Sequence, residues 1–588
     1  MATNDQELLI ARLFRKSMWP MVAGQFIMFL GSLVDGILIS RFLGTESMAA
    51  FGLFQPLQLF IMIISQIFAT GVQNTCGKSF GAGKPEEAKI FYSSAVAAVI
   101  ALAGVTMFTL LFYAGNVAEI LGASGKSANL LPFLQDFLQG FSFAVVPMCL
   151  INLNVTTRFL EGDRKTVMYA VTTQLVVNVV GDLSNVFYFN GGMFGMGLAT
   201  ALCYLSSISV MMIRSRGGII TFNPKNISLM SLVPVIKIGM PSAFDRFYKA
   251  ARTFVINKVL LSVGSGTAVA AMASVNTINF VFSPFIIGTT ACLFTMTGIF
   301  FGEHDRNSMH RMLKFSLTEI FRLACVITVV TFLAAPFIVR IFVAEEAGEE
   351  IFNMTVAALR TFVLYLPIHA LNHSFQKYFH GINAMKMTYA VAAMDYFLYI
   401  CICVVVLGNI FGVAGVWNSF WLAEVLTLVS IAGIIYFVKK VSPLKVESYL
   451  LLDKNFDADE TNQIERSAKN LNDIVAASEQ VQNFCLSRGA NEREALFVAL
   501  TVEEMCRNIL QWSNFDAARN VINIKIVHKD GWFIRIRDDT KAFDPKKWLA
   551  IHEDDDPLSN IGIRTICKLA KNVRYVSSLG MNNLIIKI

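Results

Sequence analysis

Gly77-Lys78-Ser79-Phe80-Gly81 and Gly298-Ile299-Phe300-Phe301-Gly302 stand 221 residues apart, each closing a long apolar run with the same glycine spacing. The same displacement carries Trp19-Pro20 onto Met240-Pro241 and Ala49-Ala50 onto Ala270-Ala271. A displacement of 220 carries Val146-Pro147 onto Leu366-Pro367, Asn152 onto Asn372 and Tyr169-Ala170-Val171 onto Tyr389-Ala390-Val391. A nearly constant offset sustained over this length marks a duplicated unit. Outward from these landmarks lie twelve apolar segments, near 18–41, 48–75, 92–114, 132–157, 167–189, 194–213, 235–261, 268–299, 315–343, 355–380, 387–409 and 412–438. Each is near the roughly 20 residues a spanning helix needs. Six fall in each unit, an even number, so the units run parallel about an axis along the membrane normal. Two such bundles leave a cleft between them, the architecture of alternating access; a channel or passive scaffold is the alternative.

Composition agrees. The 588 residues are 55% hydrophobic and 15% charged, against roughly 25% charged in soluble domains, which excludes a single soluble protein. Residues 441–588 differ, with 20 basic and 21 acidic side chains, against 29 and 21 in the first 440. The net charge of +7 therefore belongs to the membrane flanks and is no nucleic-acid footprint. Lys and Arg recur in alternate loops: Lys78, Lys84 and Lys89; Arg158, Arg164 and Lys165; Arg214, Arg216 and Lys225; Arg306, Arg311 and Lys314; Lys377 and Lys386; Lys439 and Lys440. By the positive-inside rule the N-terminus, the middle loop and the C-terminal part are cytoplasmic. The expected organisation is a first six-helix lobe over 1–225, a second over 226–445 and a cytoplasmic domain over 446–588. No cleavable leader is expected, because Arg12, Arg15 and Lys16 precede a run too long for one. Ten scattered cysteines without a CxxC read as thiols, not as a metal site or disulfides.

A carboxylate in hydrocarbon costs several kcal/mol unless paired, hydrated or protonated. Asp35 falls in the first segment; Asn178 and Asp182, four apart in the fifth, share a helix face; Thr200 is early in the sixth. Desolvation disfavours the charged form, so such acids can carry a proton; with Asn and Thr oxygens alongside they could hold Na⁺ instead. An interfacial position is the plainer alternative for Asp35 and Asp182. In the seventh segment Arg246, Lys249 and Arg252, three apart, follow Asp245. They either line a cavity that favours anionic or zwitterionic substrates, or are neutralised by Asp245, Asp395 or Glu424. His369, His373 and Gln376 fall at helical spacing and either line the same cavity or pack between helices.

Val34-Asp35-Gly36, Phe42-Leu43-Gly44 and Ala49-Ala50 resemble the first helix of the multidrug and toxic compound extrusion (MATE) family. Gly77-Lys78-Ser79-Phe80-Gly81-Ala82-Gly83 resembles its cytoplasmic loop, and Asn178, Asp182, Gly195, Gly197 and Ala199-Thr200 its fifth and sixth helices. The resemblance covers roughly 10–440. It implies that Asp35, Asn178, Asp182 and Thr200 form a cation or proton site, and that the chain exports drugs or other amphiphiles against inward H⁺ or Na⁺, with no further cofactor for transport. One departure is the cation cluster of the seventh segment, where some members carry an acid.

Past Pro443 the pattern predicts helices over 461–488 and 491–513, a strand over 521–527, a turn at Asp530-Gly531, a strand over Trp532–Arg537, a helix over 561–571 and a last strand from Asn583. This is an α+β sandwich. Its motifs resemble the histidine-kinase-like ATPase fold, nearest to the serine kinases that act as anti-sigma factors. The resemblance implies Glu504 as general base, Asn508 as Mg²⁺ ligand, Asp538 as reader of adenine, with Phe543-Asp544-Pro545 continuing the motif and Gly562 opening a second nucleotide helix; Mg-ATP would be the cofactor. Thr540, Ala542 and Asn560 replace glycines of the phosphate loop, so a degenerate fold that binds a partner is the alternative. Glu553–Asp556 reads as a solvated loop.

The leading expectation is a bacterial plasma-membrane antiporter, with both termini cytoplasmic, exporting small molecules under a regulatory tail that engages a cytoplasmic protein. A membrane-anchored serine/threonine kinase or anti-sigma-type sensor, and a lipid-linked-sugar flippase, are the alternatives.

Overall fold

The computed structural model describes residues 2–214, 218–264, 266–342, 349–453, 455–517, 519–529, 531–552 and 561–588. Arg216, Asp530, Glu553–Asp556 and Asn560 lie outside the described residues. A first helix group comprises α1 (Ala2–Leu38), α2 (Gly44–Gly81), α3 (Pro85–Phe112), α4 (Ala114–Ile120), α5 (Leu131–Leu160), α6 (Arg164–Ser184) and α7 (Gly192–Arg214). A second comprises α8 (Leu229–Val263), α9 (Gly266–Gly302), α10 (Arg306–Phe342), α11 (Glu349–Val363), α12 (Leu366–Gly381), α13 (Met385–Ala393) and α14 (Tyr399–Lys439). Local chemistry sets the starts: Pro85 opens α3, and Asp163 caps α6 by accepting from the Thr166 amide.

All twelve predicted segments lie on these helices. Among the described residues eight helices are long and apolar enough to cross a membrane, or nine if α11 and α12, bent by 46°, make one span. The difference from twelve has visible sources. The run Met385–Val438 joins the last two predicted segments, with a break at Gly412 (φ 63°). α8 is not among the eight; it carries Lys237, Asp245, Arg246, Lys249, Arg252 and Lys258, more charge than an apolar span holds. α1 is also outside the eight.

The groups meet along α1 and α2 against α8 and α9. The repeated glycines make the closest approach. A β-carbon at Gly81 would overlap the Ile299 carbonyl, one at Gly302 would overlap the Lys78 carbonyl, and Gly298 lies against Asn74. Only hydrogen at Gly81 and Gly302 lets the two backbones touch.

The C-terminal domain holds β1 (Gln463–Ala468), α15 (Leu471–Ser487), α16 (Glu492–Trp512), β2 (Ile522–His528), β3 (Trp532–Asp538), α17 (Pro545–Ile551), α18 (Ile561–Leu569), β4 (Asn572–Ser578) and β5 (Met581–Lys587). The antiparallel sheet runs β1-β2-β3-β5-β4. Two corrections follow. Gln463–Ala468, predicted as helix, pairs along β2, and the helix begins only after Asn470, whose side chain caps it; β4 was absent from the expected strands. Ile522, Ile524, Ile526, Ile534, Ile536, Leu584 and Ile586 form a core with the helices. Alternation sends Asn523, Lys525, Arg535, Arg537 and Asn583 to the other face. That face is covered by the loop joining α9 to α10, so Lys525 and Arg537 are only 2% and 3% exposed.

Candidate functional site

In the first helix group the structure brings together three of the four predicted residues. Asn178 and Asp182 lie one turn apart on α6, and the Asn178 amide donates to Asp182 Oδ2 at 3.3 Å. Asp35 of α1 faces both. Gly31 of α1 lies against Asn178, with Oδ1 3.5 Å from where a β-carbon would stand. Asp182 is fully buried, and Asp35 Oδ1 and Asp182 Oδ1 have no hydrogen-bond partner among the described residues. Unpaired carboxyl oxygens in a protein interior are costly, and a proton or a small cation between them relieves that cost. A π-turn, Asn185–Phe189, begins three residues after Asp182, a helix irregularity common beside functional sites. Thr200 stands apart: its hydroxyl donates to the Met196 carbonyl of its own helix at 3.1 Å, and no bond joins it to the acids.

The second group holds a separate polar network. Gln376 donates to Asp245 Oδ1 at 2.7 Å and accepts from the Tyr396 hydroxyl at 3.2 Å, while Lys377 pairs with Asp245 Oδ2 at 3.3 Å. The cation that neutralises Asp245 is thus on α12. Among the described residues Arg246, Lys249 and Arg252 have no ion pair. Lys249 Nζ instead lies 4.3 Å from the Tyr396 ring centroid, a cation–π contact, and Arg252 Nε is buried without a partner. His373 Nδ1 contacts Thr290 Oγ1 at 3.2 Å.

Sequence reasoning treated Asp395 and Glu424 only as counter-charges and missed what they build. His369 Nδ1 lies 2.8 Å from Glu424 Oε1 and 3.6 Å from Asp395 Oδ2, and Asn372 donates to Glu424 Oε2 at 2.8 Å. Asp395 sits in a π-turn, Met394–Leu398, and neither carboxyl oxygen has a hydrogen-bond partner among the described residues. One histidine and two carboxylates can hold a metal ion. The signal is weak in sequence because the three residues come from three distant helices.

In the C-terminal domain Asn508 Nδ2 donates to Glu504 Oε1 at 3.0 Å and to the Glu504 carbonyl at 2.7 Å. Gly562 lies directly against Glu504, where any β-carbon would overlap its carboxyl group. Asp538 Oδ1 accepts from the Thr540 amide, the Thr540 hydroxyl and Asn582 Nδ2. Burial pushes its carboxyl above the ordinary value, opposed by those hydrogen bonds. Glu504, Asn508 and Gly562 thus lie together, while Asp538 is held by Thr540 and Asn582. The site does not fit Mg-triphosphate, because Glu504 fills the space beside Gly562 and Thr540 and Ala542 stand where the loop needs glycine, so no catalytic step is assigned to it.

A model of the MatE family matches residues 20–184 and 241–432. The "Probable multidrug resistance protein YoeA" of Bacillus subtilis is 21% identical over 375 residues, 59% of this chain and 78% of that protein. The "Multidrug export protein MepA" of Staphylococcus saprophyticus is 20% identical over 431 residues, 71% of this chain and 92% of its own. A "FAD transporter" of Shewanella oneidensis is 26% identical over 210 residues, 34% of this chain and 44% of that protein. Among solved structures, a MATE in complex with MaL6 superposes with a TM-score of 0.68 at 20% identity, over 75% of this chain and 100% of the other. A transporter of the MOP superfamily from Pyrococcus furiosus, described as having a binding pocket of reverse polarity, superposes with a TM-score of 0.67 at 19% identity, over 75% and 98%.

Proposed function

The chain belongs to the MatE family, and from that premise we propose that it is a secondary active antiporter exporting drugs or other amphiphilic small molecules in exchange for H⁺ or Na⁺. Its family members are transporters, not enzymes. The observation that carries the coupling is the Asp35–Asn178–Asp182 cluster, where two buried carboxyl oxygens lack partners. An ion taken up there neutralises the acids and stabilises one arrangement of the lobes; its release favours the other, and substrate moves the opposite way. The chain crosses the membrane twelve times in two six-helix lobes, with both termini in the cytoplasm of a bacterium. The alternating Lys and Arg of the loops support this orientation. Multidrug proteins among the relatives support the substrate class.

Lys249 and Arg252 favour substrates with a negative group beside an aromatic or apolar body. Among the described residues neither has an ion-pair partner, and Lys249 lies over the Tyr396 ring. A relative named for FAD transport is consistent with that preference. The C-terminal domain regulates transport through its contact with the loops.

The test is efflux from vesicles carrying the full chain, driven in turn by a pH gradient and by a sodium gradient. One gradient should drive accumulation of a fluorescent amphiphile. Movement that ignores both gradients would overturn antiport.

A further inference from the structure

The β4–β5 hairpin turns on two residues, Leu579 (φ 52°) and Gly580 (φ 72°), flanked by the pair Ser578 and Met581. Positive φ at both positions is the geometry for which Asn-Gly is strongly preferred. Leucine is an unfavourable choice for the first position, so its presence asks what the side chain does. Leu579 is 3% exposed. It and Met581 share a small gap with Leu13 of α1 and Met296, Ile299 and Phe300 of α9. The hairpin tip therefore sits between the two helix groups, at the end where Gly81 and Gly302 bring them together.

Around this tip the sheet grips each group separately. Toward the first, the Leu579 amide donates to the Leu160 carbonyl at 2.7 Å, the Leu579 carbonyl accepts from Arg164, and Gly580 lies against Gly162. Toward the second, Arg537 bonds Glu303, Asp305 and Ser308, Lys525 pairs with Asp305 at 3.2 Å, and Asn583 donates to Glu303 at 2.7 Å. The second grip is a set of fully buried charges that would be left unpaired by separation; the first is one leucine, one backbone bond, Arg164 and the part-exposed Arg12–Asp539 pair at 3.1 Å. Asn583 and Gly580 lie on the same strand and turn, a rigid link of about 10 Å at the rise of an extended chain.

We propose that the C-terminal domain is a latch on alternating access: it stays bound to the α9–α10 loop of the second lobe, and its Leu579-Gly580 tip must withdraw from between the lobes before they can part at the cytoplasmic end. This rests on the antiporter reading above and gives the regulatory tail its means of action. The sheet carries the grip and the buried Asp538 on adjacent positions. Arg537 pairs with Asn583 toward the loops, and Asp538 pairs with Asn582 one residue on, toward the helices.

The experiment uses the full chain with Leu579→Asn, which keeps the preferred turn and removes only the plug, and separately Arg164→Gln. Ion-gradient-driven efflux from vesicles should rise by about threefold or more for each variant if opening limits turnover. Hydrogen exchange in detergent should show the Leu579 amide losing protection in Arg164→Gln while β2 and β3 keep theirs. Efflux at or below the parent rate in Leu579→Asn with an intact sheet would overturn the latch, as would unchanged protection of the Leu579 amide. If the parent protein shows no gradient-driven efflux, the antiporter reading fails, and the exchange measurement alone decides the latch.

Discussion

Gly81 and Gly302 occupy equivalent places in the two repeats, and each receives the backbone of the other group: Gly81 the Ile299 carbonyl, Gly302 the Lys78 carbonyl. The duplicated sequence thus builds a seam from its own repeated element. Gly81→Ala would put a methyl group into the Ile299 carbonyl and 2.9 Å from the Glu303 amide. Overpacking of this kind costs about 1–3 kcal/mol, and more where backbone must shift. A lowered unfolding temperature in detergent is expected, with a smaller effect for Gly433→Ala, a position with open space around it. Equal stability of the two variants would contradict the seam.

In the proposed function Lys249 and Arg252 choose substrates by charge. Replacing both by Gln should raise the KM for an anionic dye by about tenfold, equivalent to roughly 1.4 kcal/mol, and leave a cationic dye unaffected or improved. Paired transport assays on the two dyes read this directly. A matching loss for both dyes would mean that the cations serve packing.

Docking of the C-terminal domain depends on Asp305. Burial alone would raise its carboxyl, but the Lys525, Arg537 and Arg535 cations and the Ser308 hydrogen bond outweigh burial and hold it well below the usual carboxylate range. A depressed value stabilises the charged form, so this contribution is present above about pH 4 and lost as pH falls through the lowered value. Asp305→Asn should cost about 3–5 kcal/mol at neutral pH, the usual penalty for breaking a buried pair. Glu303 runs the other way: burial raises its carboxyl, against the lowering effect of Arg537 and Arg535. Its contribution is complete below the ordinary glutamate value and falls as pH rises through the raised one, so Glu303→Gln should be the milder change and should flatten the profile above the ordinary glutamate value. Thermal unfolding against pH for the two variants separates them; identical profiles would refute the assignment.

Much of this was legible in the chain. The offset between Gly77/Gly81 and Gly298/Gly302 marks the duplication and also its contact, and the four-residue spacing of Asn178 and Asp182 places both on the face that meets Asp35. Three things were not. The His369–Asp395–Glu424 cluster draws on α12, a π-turn and α14, and no short-range pattern links residues that only packing brings together. Gln463–Ala468 looked helical because its partner strand lies far along the chain, and pairing overrode the local pattern. Lys525, Arg535 and Arg537 alternate with isoleucines as a solvent face would; the acids at 303 and 305, more than 200 residues earlier, and Asp457 show that this face is covered.

The central claim is that Asp35 and Asp182 carry the coupling ion. Gradient-driven efflux by Asp35→Asn and Asp182→Asn, in full-length protein reconstituted beside the parent and matched for folded amount, tests it most directly. Uphill export should vanish in both variants while substrate binding in the absence of a gradient persists. Export against a concentration gradient by either variant at the parent rate would contradict the account.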